Sequence, residues 1–184
     1  MDKLTVKDLM VPLSGYATVN EDASLGEAVK ALKRAQKNFD PKLDRHRAIL
    51  ITDKNNRIVG KLSQLDVIRA LEPKYLNIDD PQSLTRFGYS QDYLQYTLKE
   101  HRLWENAIDD ICKKAAKLVV KNLMYTPTQG EYVKENTSLN EAIHHLIMGR
   151  HQSLLVTRGE DIVGVLRLTD VFREISNKIS SCSG

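Results

Sequence analysis

The chain has 184 residues, 41% apolar and 28% charged, the proportions of an ordinary globular protein and not of a disordered one. Basic residues exceed acidic ones by 27 to 24, and the resulting charge of +3 suits anionic small molecules but is weak ground for nucleic acid, which calls for a clustered basic face. Two cysteines, Cys112 and Cys182, form neither a disulfide framework nor a zinc-site spacing; with no apolar stretch resembling a signal peptide or approaching the ~20 residues that span a bilayer, a reducing cytoplasm is the expected location.

Taken in chain order, the elements describe one unit twice. VKDLM (6–10) precedes a short extended stretch, Tyr16–Val19. Ser24 and Glu27 have the spacing of a capping box, and Leu25, Ala28, Val29 and Leu32 recur at i, i+3, i+4 and i+7, which predicts a helix with one apolar face. Two β runs follow, Ala48–Thr52 and Ile58–Leu62, joined by the polar turn 53–57, and a second helix begins near Gln64.

A connector then runs over 73–117. Pro73, Pro81 and Gly88 predict loop and turns in its first part. From Ser90 to Val119 nothing breaks a helix, which predicts one long helix or two shorter ones. Leu94, Leu98, His101, Ile108, Ile111 and Ala115 form its mostly apolar stripe, and Tyr75, Phe87, Tyr89, Tyr93, Tyr96 and Trp104 give the connector six aromatics. The stripe is read as packing on the module's own surface, with a dimer or partner surface as the alternative.

The unit then repeats. VKNLM (120–124) is followed by the extended stretch Glu131–Val133 and the capping pair Ser138 and Glu141. The apolar face is Leu139, Ala142, Ile143 and Leu146; strands Ser153–Thr157 and Ile162–Leu166 meet around Gly159, and a last helix starts near Leu168. The early matches are offset by 114 residues and IVGKLSQLDVIR (58–69) matches IVGVLRLTDVFR (162–173) at 104, which implies a ten-residue insertion in the first copy around Lys37–Arg45. The expected class is α+β: two β-α-β-β-α repeats packed as a pseudo-twofold pair, over 1–72 and 118–180, with a tail at 181–184.

This pattern resembles a tandem pair of cystathionine-β-synthase (CBS) domains. The residues carrying the resemblance are DLM and NLM, the SLxEA helix starts, and two closing blocks, Gly60 to Asp66 and Gly164 to Asp170. Lys61 departs from the family's block at an apolar position, and Arg167 replaces its hydroxyl residue. The resemblance implies a stand-alone regulatory module, commonly a homodimer, that binds an adenosine-containing ligand in clefts between the repeats. AMP, ADP, ATP and S-adenosylmethionine are the usual ligands.

Candidate ligand residues follow. Asp66 and Asp170, at helix starts, would accept ribose hydroxyls as the family's aspartates do. Ser63 and Asp66 also have capping spacing, so Asp66 is read as ligand and cap alike, whereas Arg167 offers no capping oxygen and leaves Asp170 freer. Ser63, Thr169 and Arg167 would serve phosphate at a helix N-terminus, with an ion pair to a nearby carboxylate as the alternative for Arg167. HRAILITD resembles a phosphate-meeting segment of the γ subunit of AMP-activated protein kinase. His46 and Arg47, and Arg150 and His151 at the same place by the 104 offset, therefore favour a phosphorylated ligand. Tyr16, Ala17 and Thr18, and Tyr132 and Val133, lie where the family places adenine. The basic cluster Lys33, Arg34, Lys37, Lys42, Arg45 and Arg47 reads as a solvated face.

No P-loop, GxSxG, HExxH or CxxC is present, so neither an enzyme nor a cofactor is expected. The leading expectation is an adenine-nucleotide-sensing module that signals to an unidentified regulated protein. The alternatives are an S-adenosylmethionine sensor, or a protein-interaction or nucleic-acid adaptor with empty clefts. The copy holding Arg167 is expected to be the stronger phosphate site.

Overall fold

A computed structural model of the chain describes residues 4–37, 46–78, 89–105 and 110–182. Its elements are α1 (Val6–Leu9), β1 (Val11–Pro12), β2 (Thr18–Asn20), α2 (Leu25–Lys37), β3 (Ala48–Thr52), β4 (Ile58–Ser63) and α3 (Gln64–Leu71), then α4 (Gln91–Glu100) and α5 (Ile111–Lys117), then β5 (Tyr132–Lys134), α6 (Leu139–Gly149), β6 (Ser153–Arg158), β7 (Asp161–Arg167) and α7 (Leu168–Cys182). Each repeat is thus β-α-β-β-α, and the class is α+β. In each repeat the first strand runs parallel to the second, which pairs antiparallel with the third, giving two mixed sheets.

The capping chemistry is visible at the start of α2. Ser24 N donates to Glu27 Oε2 at 2.8 Å, and Glu27 N donates back to Ser24 Oγ at 3.2 Å. In α6 the cap is the hydroxyl alone: Ser138 Oγ accepts from Glu141 N at 3.3 Å. Val29, read as a core position, is 40% exposed; Leu25, Ala28 and Leu32 are buried as the spacing requires.

The repeats exchange their leading segments. β1 pairs antiparallel with β7, so residues from the start of the chain extend the second repeat's sheet. Val6 is fully buried in the second repeat's core with Leu139, Leu154 and Leu166, while Val120 is fully buried in the first repeat's core with Leu25, Ile49 and Leu62. Burying one such side chain contributes roughly 1.5–3 kcal/mol, so each repeat supplies part of its partner's stability. A third cluster, around Leu50, Leu155 and Val165, joins the two repeats.

Register corrects one alignment. Ala48 stands opposite Ser63 and Ser153 opposite Arg167; Gln64 N bonds to Arg47 O, and Leu168 N to Gln152 O. The second strands therefore correspond at an offset of 105, not 104. His46 matches His151 and Arg47 matches Gln152, so the Arg150–His151 pair does not copy His46–Arg47. The extra residue lies in the 53–57 hairpin turn, which leaves nine for the insertion; its residues 38–45, with Lys42 and Arg45, fall outside the described residues.

Among its described residues the connector holds two α-helices, α4 and α5, after a 3-10 turn at Pro73–Asn77. α5 packs on α2, with the Ala115 carbonyl against Gly26. The stripe divides: Ala115 packs on the module as expected, whereas Leu94 and Leu98 on α4 are exposed, which corrects the expectation for that half, and Tyr96 beside them is exposed as well. Ile108 and Phe87 lie outside the described residues. The turn after α4 is tied to the end of α3 instead. Buried Glu72 accepts from Trp104 N at 2.8 Å, and Trp104 Nε1 donates to Tyr75 at 3.0 Å, holding Trp104 at a positive φ of 62°.

Candidate functional site

A cleft of about 550 Å³ opens where the second strand of each repeat begins and the third ends. Of the candidate residues, Tyr16, Arg47, Ser63 and Asp66 line it from the first repeat, and Arg150, His151, Arg167 and Thr169 from the second. Ala17, Thr18, His46, Tyr132, Val133 and Asp170 are not among the lining residues. Ala17 and Val133 are core, Thr18 is exposed, and Tyr132 packs in the cluster between the repeats.

The two aspartates differ. Asp66 caps α3: Ser63 N and Oγ donate to its Oδ2 at 2.8 and 2.6 Å, and Asp66 N donates to Ser63 Oγ at 3.2 Å. Its Oδ1 takes no part in the cap. Asp170 is 1% exposed and has both oxygens engaged: Arg167 Nε donates to Oδ2 at 2.5 Å, Arg167 Nη2 to Oδ1 at 2.6 Å, and Arg173 Nη2 to Oδ1 at 3.0 Å. The expectation that Arg167 leaves Asp170 free is therefore reversed. Lacking a capping oxygen, Arg167 folds back over one helical turn and clamps the carboxylate bidentately.

His46 is also displaced from its expected role. It is fully buried and packs on Tyr16 with ring centroids 4.3 Å apart. Burial, and then the nearby Arg167 charge, hold its imidazole below the ordinary value. Burial pushes the Tyr16 phenol up to about 12. Arg47 and Arg150, by contrast, are exposed and carry no ion pair among the described residues.

The residues that sequence reasoning missed are Tyr125 and Glu131, which meet Lys61 in the cleft wall. Glu131 is 2% exposed; it accepts from the Lys61 ammonium, from Tyr125 Oη at 2.5 Å and from Thr128 N at 3.2 Å. Burial pushes its carboxyl up, but these hydrogen bonds outweigh that and hold it below the usual carboxylate range. The hydrogen bond to Glu131, and then burial, raise the Tyr125 phenol. A signal existed: Lys61 stands where the resemblance calls for an apolar residue, and such a lysine needs a buried partner. The partner lies in the other repeat, beyond the reach of local spacing.

Among the described residues no group of histidine, cysteine and carboxylate side chains could hold a metal ion, and no helix is long and apolar enough to cross a membrane.

A family model described as the CBS domain matches residues 6–73 and 120–177. No curated protein matches the chain. Among solved structures, the CBS-pair protein CBSX2 from Arabidopsis thaliana is similar at 20% identity, over 96% of each chain, with a TM-score of 0.60. CBSX2 in complex with AMP is similar at 20% identity, over 94% of this chain and 96% of that one, with a TM-score of 0.57. A CBS domain-containing protein of unknown function from Bacillus anthracis is similar at 15% identity, over 96% of each chain, with a TM-score of 0.61.

Proposed function

The chain belongs to the CBS-domain family, two copies in tandem, and on that premise we propose that it is a regulatory rather than catalytic module whose cleft binds an adenine nucleotide and reports its occupancy to a partner protein. The observation that carries the reading is the cleft's charge. Free guanidinium groups enter from both repeats, Arg47 and Arg150, and between them the α3 N-terminus presents Asp66 with one carboxylate oxygen uncommitted. Cations and helix amides suit phosphate, and a carboxylate oxygen suits ribose hydroxyls. The related CBSX2, which is seen with AMP, supports the choice of ligand. S-adenosylmethionine carries no phosphate, and its single carboxylate, offset by an ammonium and a sulfonium, gains less from the two arginines than a phosphate does.

Calorimetry with AMP, ADP, ATP, S-adenosylmethionine and adenosine tests this. Tighter binding of the phosphorylated ligands is expected; preference for S-adenosylmethionine, or binding of none, overturns it. The same reading includes a homodimer. Ile68 and Phe172, equivalent positions on α3 and α7, are 52% and 68% exposed and suit a helix-to-helix contact between copies. Light scattering at tens of micromolar should give a dimer mass, and a monomer there removes that part. A protein-interaction adaptor is the second reading, favoured by the exposed Leu94, Tyr96 and Leu98 on α4; it predicts no nucleotide-dependent shift in melting temperature.

A further inference from the structure

The ion pair between Lys61 and Glu131 has no part in the reading above. It joins β4 of the first repeat to the residue preceding β5 of the second, in the wall of the cleft, and its side chains are 19% and 2% exposed. Tyr125 completes the cluster. Its backbone exchanges hydrogen bonds with Lys61 at 2.9 and 2.8 Å, its ring lies 5.1 Å from the ammonium, and its hydroxyl donates to Glu131.

The repeat supplies its own control. The residues matching Lys61, Tyr125 and Glu131 in the other half of the molecule are Val165, Val11 and Ala17, all apolar. That half folds with no ion pair at these positions, so the fold does not require one, and a buried pair carries a desolvation cost that an apolar replacement avoids. The two partners are also unequally held. Glu131 is fixed by Tyr125 and the Thr128 amide as well as by Lys61, whereas the lysine ammonium ends a flexible stem, faces the cleft and has three donors to share.

We propose that Lys61 and Glu131 form a specificity-determining pair, in which a ligand gains the Lys61 ammonium only by outcompeting Glu131, so that the cleft grades nucleotides by the negative charge of their phosphates. This rests on the cleft being the nucleotide site. A triphosphate has the charge and the reach to draw Lys61 away, a monophosphate competes poorly with a fixed carboxylate, and uncharged adenosine does not compete. ATP is therefore held in preference to AMP, and the preference is set by Glu131 through Lys61.

The test is calorimetry on the full chain with adenosine, AMP and ATP. Glu131→Gln keeps an oxygen for Tyr125 and Thr128 and releases Lys61. AMP should then bind about tenfold more tightly, the worth of one hydrogen bond to a charged group, ATP should gain less, and adenosine should be unchanged. Unchanged or weaker AMP binding, or an equal gain for adenosine, overturns the proposal. Should Glu131→Gln fail to fold, the double variant Lys61→Met with Glu131→Gln reproduces the uncharged state of the other half. It should lose about tenfold of the parent's ATP-over-AMP preference, and a retained preference overturns the proposal equally. A parent chain that binds nucleotide without these changes sinks this inference alone, whereas a parent that binds none of the three sinks the nucleotide reading with it.

Discussion

Asp66 and Asp170 hold the same place in their repeats and do opposite work. Asp66 spends one oxygen on a cap, so Asp66→Ala should cost about 1 kcal/mol of stability, as a lost N-cap does, and should abolish nucleotide binding. Asp170 neutralises buried Arg167, so Asp170→Ala leaves a guanidinium without its counter-charge and should cost about 3–5 kcal/mol. Urea denaturation with calorimetry checks both; an Asp170→Ala chain as stable as the parent contradicts the clamp. His46 gives the pH dependence. Its folded-state value is depressed by burial and by Arg167, so between that value and about 6.5 the unfolded chain takes up a proton that the folded chain refuses. Stability present above about 6.5 is therefore lost as pH falls. Melting temperature should drop between pH 7.5 and 5.5, and His46→Phe, which keeps a ring against Tyr16, should flatten the drop.

At the scale of elements, two equivalent glycines sit where the exchanged segments cross. A Cβ on Gly164 would meet the Val11 carbonyl oxygen at 2.7 Å, which is backbone and has to move, unpairing β1 from β7. A Cβ on Gly60 would first meet the flexible Met124 sulfur at 2.7 Å. Gly164→Ala should therefore cost about 1–3 kcal/mol, as overpacking does, and more than Gly60→Ala in parallel denaturation curves. Most strands and helices of the repeats were readable from spacing, because capping boxes, alternation and the i, i+3, i+4 pattern are local. What spacing did not show was which sheet a segment joins: VKDLM precedes its own repeat in sequence and packs in the other. The site divides in the same way. Ser63 and Asp66 were legible as neighbours, and so was the Arg167–Asp170 spacing, but its burial was not. Glu131 needed Lys61, a residue of the opposite repeat.

At the scale of the molecule, neither repeat contains its whole core. A fragment ending at residue 78 lacks Val120, Leu123 and Met124 and should show no cooperative melting, while co-expression of residues 1–88 with 89–184 should restore it in a two-chain complex. A fragment that melts cooperatively alone would contradict the exchange. The exchange also sets an order of events during translation. The first repeat leaves the ribosome before the segment that fills its core has been made, and β1 finds its partner strand only once β7 of the second repeat has been made. Such distant pairings close last and slowly. The nascent chain therefore holds apolar surface and an unpaired strand edge open while the second repeat is being made, which makes it a client for chaperones until that repeat emerges.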